Sequence, residues 1–285
     1  MRNYKAMLCV FAIWLSVSAV SAAPTLTFKF KAITIPGATQ VFTGGVSDSG
    51  IIVGGYSDTS GAFHGFTLNG KTVTKIDHPK GTNTNFKNIS PKGVAIVGSY
   101  VNAGGHTVGF VLQSNKFTDI PGPKGATFTQ AYGINDAGEI VGVFVDAKFL
   151  SHGFALKSGK YTTLNVPKAV ITEATGINNQ GTIVLYWENS NSAFESSLYN
   201  GSTYTTIDVP GATNTQAWDI DNNGDVVYQW SDAKGTHGAL RQQGKYYKFD
   251  DAHGVGATYG FGINNHSQIV GSYVASGFQG FEATY

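Results

Sequence analysis

The sequence predicts an all-β fold, a six-bladed β-propeller of four-stranded blades, and three observations carry that prediction. Val, Ile, Thr, Tyr and Phe are plentiful beside 37 glycines, a composition of strands and tight turns. No long stretch has the 3.6-residue apolar period of an amphipathic helix. A turn signal recurs six times, as Val46-Ser-Asp-Ser-Gly50, Ile89-Ser-Pro-Lys-Gly93, Ile134-Asn-Asp-Ala-Gly138, Ile177-Asn-Asn-Gln-Gly181, Ile220-Asp-Asn-Asn-Gly224 and Ile263-Asn-Asn-His-Ser267. Successive units start 43, 45, 43, 43 and 43 residues apart. A period in the forties with four strands per unit is the repeat signature of a propeller.

In chain order, residues 1–22 read as a secretory signal peptide. Arg2 and Lys5 make a basic start, residues 6–20 an apolar stretch, and Val20-Ser21-Ala22 a small-residue cleavage site. That stretch is short for a membrane span, and no later one could cross a bilayer. A single domain is expected over 23–285. Its opening segment, Phe30-Lys-Ala-Ile-Thr-Ile-Pro-Gly-Ala38, aligns position for position with Tyr204-Thr-Thr-Ile-Asp-Val-Pro-Gly-Ala212. Four strands per unit are clearest in the third, at 129–135, 139–145, 152–156 and 160–166. Asn, Asp and Gly in the turns between them supply positive φ angles, and Pro167 ends the last strand. The sixth unit stops at Tyr285 with three strands. The segment near 26–35 is therefore expected to complete blade 6 and close the ring.

A triplet recurs in the third strand. It stands as His64-Gly-Phe66 and His152-Gly-Phe154, and degenerates to Val108-Gly-Phe110, His237-Gly-Ala239 and Gln279-Gly-Phe281. With the Ile-Asn-x-x-Gly-x-Ile-Val-Gly segment at Ile134 to Gly142, the chain resembles the HAF-repeat family of secreted bacterial proteins, named for a His-Ala-Phe triplet. The resemblance covers nearly all of 23–285, with Gly in place of the middle Ala. It implies an extracellular location and brings no established chemistry to any residue.

Composition excludes several functions. Without Arg2 and Lys5, 17 basic residues face 18 acidic ones, and Arg241 is the only arginine left. A nucleic-acid groove needs clustered Lys and Arg, so nucleic acid is not an expected partner, and anionic membranes are disfavoured likewise. Cys9, the only cysteine, falls within the signal segment, so no disulfide or thiol chemistry is expected. No cofactor motif is present, and a monomer is expected.

Each candidate motif has to be weighed against its place in the repeat. Tyr56, Tyr100, Phe144, Trp187, Trp230 and Tyr273 share one repeat position, best explained by packing between blades. His64, His152 and His237 could suggest a three-fold metal site, but they lie on the outer half of their blades; no metal site is expected. The Asp219-Ile-Asp-Asn-Asn-Gly-Asp225 run imitates a calcium loop yet coincides with the turn found in every unit.

Departures from the repeat give the one functional lead. Blades 4 and 5 replace the strand-B Gly by Leu185 and Tyr228, the triplet by Glu195-Ser-Ser197, and a strand-A Gly by Asp219. Trp187, Trp218 and Trp230 all fall there, with Glu188, Glu195, Asp219 and Asp232 nearby. Indole faces beside carboxylates suit sugar rings. The candidate ligand-binding residues are therefore Trp187, Trp218, Trp230, Tyr228 and His237, against the competing reading that these blades merely pack larger side chains. The expected function is a secreted (extracellular or periplasmic) module binding a polysaccharide or cell-surface ligand. The runner-up is a polysaccharide hydrolase or lyase using Glu188, Glu195, Asp219 or Asp232 as acid and base.

Overall fold

A computed structural model describes residues 26–285. The signal segment at 1–22 lies outside the described residues. The chain forms six four-stranded antiparallel sheets arranged as the blades of a propeller. Blade 3 consists of Phe128–Ile134, Ile140–Val145, Ser151–Lys157 and Lys160–Leu164, designated strands A to D from the axis outward. Blade 6 holds Thr258–Ile263, Gln268–Val274 and Phe278–Thr284 as strands A to C. Its outer strand is Lys29–Ile33, paired antiparallel to strand C from Lys29 opposite Thr284 to Ile33 opposite Gly280.

The core is divided among the blade interfaces. One cluster joins Val184, Ile207 and Val209 of blade 4 to Ala217, Ile220, Tyr228 and Trp230 of blade 5, and five similar clusters complete the circuit. Within a blade, a strand-B glycine faces the phenylalanine of the strand-C triplet. The pairs are Gly54 and Phe66, Gly98 and Phe110, Gly142 and Phe154, and Gly271 and Phe281, with all four rings fully buried. A Cβ at Gly142 would collide with the Gln130 carbonyl and come within 2.9 Å of the Phe154 ring. Glycine is required there because the ring takes its space.

The recurrent turn motif is a blade-to-blade staple. The N–H of Asp136 donates to the Asn179 side chain, Asn179 to Asn222, Asn222 to Asn265, and Asn265 to Asp48, each at 2.7–3.1 Å. Lys92 N–H donates to Asp136 at 2.9 Å. Pro91 occupies the corresponding place in blade 2, and there the Asp48 N–H meets its carbonyl instead. Side chains of Asn135, Asn178 and Asn264 reinforce the circuit by donating to carbonyls of the next blade. The Asp221 turn belongs to the same series: its Oδ1 accepts the N–H groups of Asn223 and Asp225. Among the described residues no group of three or more His, Cys, Asp or Glu could hold a metal ion, and no helix is long and apolar enough to cross a membrane.

Candidate functional site

The axis is lined by strand A of each blade, and a β-bulge near the end of that strand decides what points inward. In blades 2 to 6 the register slips by one residue, leaving Lys87, Tyr132, Thr175, Trp218 and Phe261 without a partner opposite. A bulge re-aims the extra side chain, and these five line a single central cavity. Next in sequence, four glycines (Gly45, Gly133, Gly176, Gly262) crowd the axis, where a Cβ on Gly133 would lie 2.9 Å from Gly176 Cα. The two remaining places hold Asn88 and Asp219, on opposite blades. Their side chains face one another across the bore, where the Asn88 amide favours the Asp219 carboxylate.

Asp219 is buried, and burial pushes its carboxyl up to about 7. The N–H groups of Ile263 and Ile220 and the Asn88 side chain pull against that shift. This carboxylate stands in the bore and borders only a space of about 20 Å³ on the side of the A–B turns.

Above this pair the cavity opens on the face carrying the B–C and D–A loops, with a volume of about 430 Å³. That lies within the roughly 300–1,000 Å³ range of small-molecule sites. Its wall is a chain of aromatic contacts. Trp218 stands 6.0 Å from Tyr132, 5.5 Å from Tyr186 and 5.4 Å from Phe261, ring to ring. Tyr259 links Phe261 to Phe278, and Phe42 links Phe278 to Phe63. Lys87, Asn85, Asn88, Gln229, Thr43 and Thr175 are the polar lining groups that interrupt this wall. A more open depression of about 640 Å³ adjoins it, sharing Tyr132 and reaching Glu173 and Phe149, whose ring is 83% exposed.

The polar groups here are desolvated. Burial pulls Lys87 down to about 8, opposed by the nearby Glu173 charge, and its ammonium lies 5.5 Å from the Tyr132 ring. Burial pushes Glu173 up, opposed by the hydroxyls of Tyr186 and Tyr132 and by Lys87. Glu173 Oε2 and the Trp218 indole N–H are both buried without a hydrogen-bond partner. Buried polar atoms left unpaired are uncommon in folded proteins; Trp218 lines the central cavity and Glu173 the adjoining depression.

Of the residues singled out from sequence, only Trp218 and Asp219 reach the axis. Tyr228 is fully buried opposite Ala239, and Leu185 is buried opposite Ser197. These departures exchange volume across one strand pair: the large residue moves to strand B where strand C has lost its Phe. Trp230 is 4% exposed, donates to the Gly238 carbonyl at 3.1 Å and stacks on His237 at 4.6 Å, with Lys248 Nζ 3.7 Å from its ring centre. Trp187 is half-buried and donates to Ser197 Oγ at 3.2 Å. The expectation of a shared indole surface across blades 4 and 5 is therefore corrected, because packing consumes Trp230 and Tyr228.

Three of the four candidate acids, Asp219, Asp232 and Glu195, are likewise accounted for. His237 contacts Asp250 at 2.9 Å and Asp232 at 3.3 Å, and His64 and His152 repeat that clamp with Asp77 and Asp58, and with Asn165 and Asp146. Lys234 N–H, with His237 adding to it, holds Asp232 below its usual carboxylate range. In blade 4, Glu195 replaces the His and accepts from Asn189 at 2.7 Å, so the pair is exchanged together. Burial lifts the facing Asp208 to about 6, with Glu195 adding to the rise. Glu188 ends strand B, where its carbonyl accepts the Val170 N–H at 2.8 Å. Sequence reasoning missed Lys87, Tyr132, Phe261 and Glu173. Their signal is a repeat position holding Gly44, Lys87, Tyr132, Thr175, Trp218 and Phe261 in turn, followed by glycine in four of six units.

No protein-family model matches this chain, and no curated protein does either. Solved structures do share its fold. A protein assigned as TolB from Agrobacterium tumefaciens superposes with a TM-score of 0.58 at 16% identity, over 86% of this chain and 90% of its own. The β-propeller domain of the Trilobed protease from Pyrococcus furiosus gives 0.51 at 11% identity, over 86% and 96%. The Aleuria aurantia lectin, solved with Fucα1-6GlcNAc, gives 0.55 at 13% identity, over 85% and 91%. At such identities the likeness concerns the fold alone.

Proposed function

We propose that this chain is a secreted, non-enzymatic binding module of the HAF-repeat kind, whose ligand is a carbohydrate from an extracellular polysaccharide or cell surface. The observation that carries the reading is the aromatic-walled cavity above the Asn88–Asp219 pair, with Trp218 in its wall. Flat rings take the C–H faces of a sugar, while the amides of Asn85 and Gln229 and the unpaired indole N–H serve its hydroxyls. The lectin with a bound fucosyl disaccharide supports the scaffold's aptness for sugars. The basic start and apolar stretch before residue 23 support export. Hydrolysis is disfavoured by the acids themselves: Asp219 stands in the bore, Asp232 is clamped by His237, and Glu195 is tied to Asn189.

The test is a polysaccharide panel read for both tryptophan emission and new reducing ends. A bound glycan shifts the emission, and Trp218→Ala weakens binding by about 1–3 kcal/mol, a usual loss for an aromatic anchor. Release of reducing ends above background would overturn the non-enzymatic reading. Binding that survives Trp218→Ala intact would move the site elsewhere.

A further inference from the structure

We propose that the sugar held in this cavity is acidic, a uronate or other carboxylate-bearing residue whose anion pairs with the Lys87 ammonium; the inference rests on the cavity being the sugar site. Two independent observations support it. Lys87 is the one cationic side chain lining the cavity, and among the described residues no carboxylate stands within ion-pair distance of it. The indole N–H of Trp218, in the same wall, is buried without an acceptor. A desolvated ammonium calls for an anionic acceptor, and the indole N–H beside it can donate to an oxygen of the same group.

Glu173 does not fill this role. It senses Lys87 electrostatically but stands beyond ion-pair distance, on the side of the adjoining depression with Tyr132 and Tyr186. Lys87 keeps its proton at neutral pH because its value falls only to about 8. One cation with neutral donors matches a singly charged carboxylate. A phosphate dianion calls for more positive charge than this wall offers. Asn85 and Gln229 remain for the hydroxyls beside the carboxylate.

The experiment follows tryptophan emission of the mature protein at low ionic strength, where exposed charge effects are largest. The probes are short oligomers of galacturonate, glucuronate and mannuronate, each as the free acid and as its methyl ester. At least one free acid binds roughly tenfold or more tighter than its ester, the usual scale of a charge-assisted hydrogen bond. Lys87→Met brings acid and ester to equal affinity while the melting temperature stays unchanged. Lys87→Gln serves as a second variant should Lys87→Met misfold. Equal binding of acid and ester to the unaltered protein, or a preference that survives both variants, overturns the inference. If acid and ester bind alike and Trp218→Ala abolishes both, the acidic specificity fails and the cavity reading stands. If no probe in either form shifts the emission, the acidic specificity falls, and the cavity reading is decided by the neutral glycans of the polysaccharide panel.

Discussion

Replacing Tyr228 by Gly and Ala239 by Phe together would rebuild in blade 5 the pair that blades 1, 2, 3 and 6 use. Tyr228 is fully buried directly opposite Ala239. A buried Tyr covers about 150–250 Å², which at ~25 cal/mol per Å² amounts to roughly 4–6 kcal/mol. Its hydroxyl has no partner, so removing it returns about 1–3 kcal/mol of desolvation. Tyr228→Gly alone should then destabilise by about 1–5 kcal/mol, with ~3 kcal/mol the middle value, in line with large-to-small core changes. Ala239→Phe alone drives a ring into a filled space, at about 1–3 kcal/mol. If one volume is shared across the pair, the double variant loses less than about 2 kcal/mol, a coupling of at least ~2 kcal/mol. Urea unfolding followed by circular dichroism reads all three variants, with an unchanged slope showing that only stability has moved. A double variant equal to the sum of the singles, within about 0.5 kcal/mol, would refute the volume-exchange account. Singles that left stability intact would return Tyr228 to the ligand surface.

Other residues give independent tests. Asp219 titrates at about 7 in the folded chain against an ordinary 3.8, so the folded state holds a proton that the unfolded chain releases between those values. Stability contributed by this group therefore falls as pH rises from about 4 to about 7 and is level above that. Asp219→Asn should flatten the decline by on the order of 4 kcal/mol, and identical pH–stability profiles would contradict it. Asn265→Ala removes the acceptor for Asn222 N–H and both donations to Asp48, and should cost about 2–3 kcal/mol. The exposed neighbour His266→Ala should stay within about 0.5 kcal/mol. Asn189→Asp should destabilise by about 1 kcal/mol by setting a second carboxylate against Glu195, and Glu195→His added to it should restore the melting temperature.

The architecture was legible because it is written in repetition. The period, the four strands of each unit and the Asx-Gly turns all follow from positions that recur, and the observed strands of blade 3 lie within two residues of those expected. The site was only partly legible, for a physical reason. Departures such as Leu185 and Tyr228 stand out along the chain, but their compensation by Ser197 and Ala239 lies on the neighbouring strand. Glu195 likewise reads as a stray acid until Asn189 is seen to have changed with it. Conversely, Lys87 and Phe261 look like ordinary strand residues, because a bulge that turns a side chain inward leaves no mark in an alternating pattern. Trp218 was singled out for its indole, and its neighbours at the same repeat position were passed over.

The narrowing at Asn88 and Asp219 has a consequence for how any occupant comes and goes. A ring with an open bore could be threaded, letting a polymer slide through and be gripped anywhere along its length. Here close-set glycine backbones and the facing side chains of Asn88 and Asp219 narrow the passage, so the cavity has one wide mouth. Entry and exit share that mouth, and a long chain can offer only a terminus or a branch. Such a receptor counts ends, and its occupancy on a polysaccharide should rise as the same mass of polymer is cut into shorter pieces.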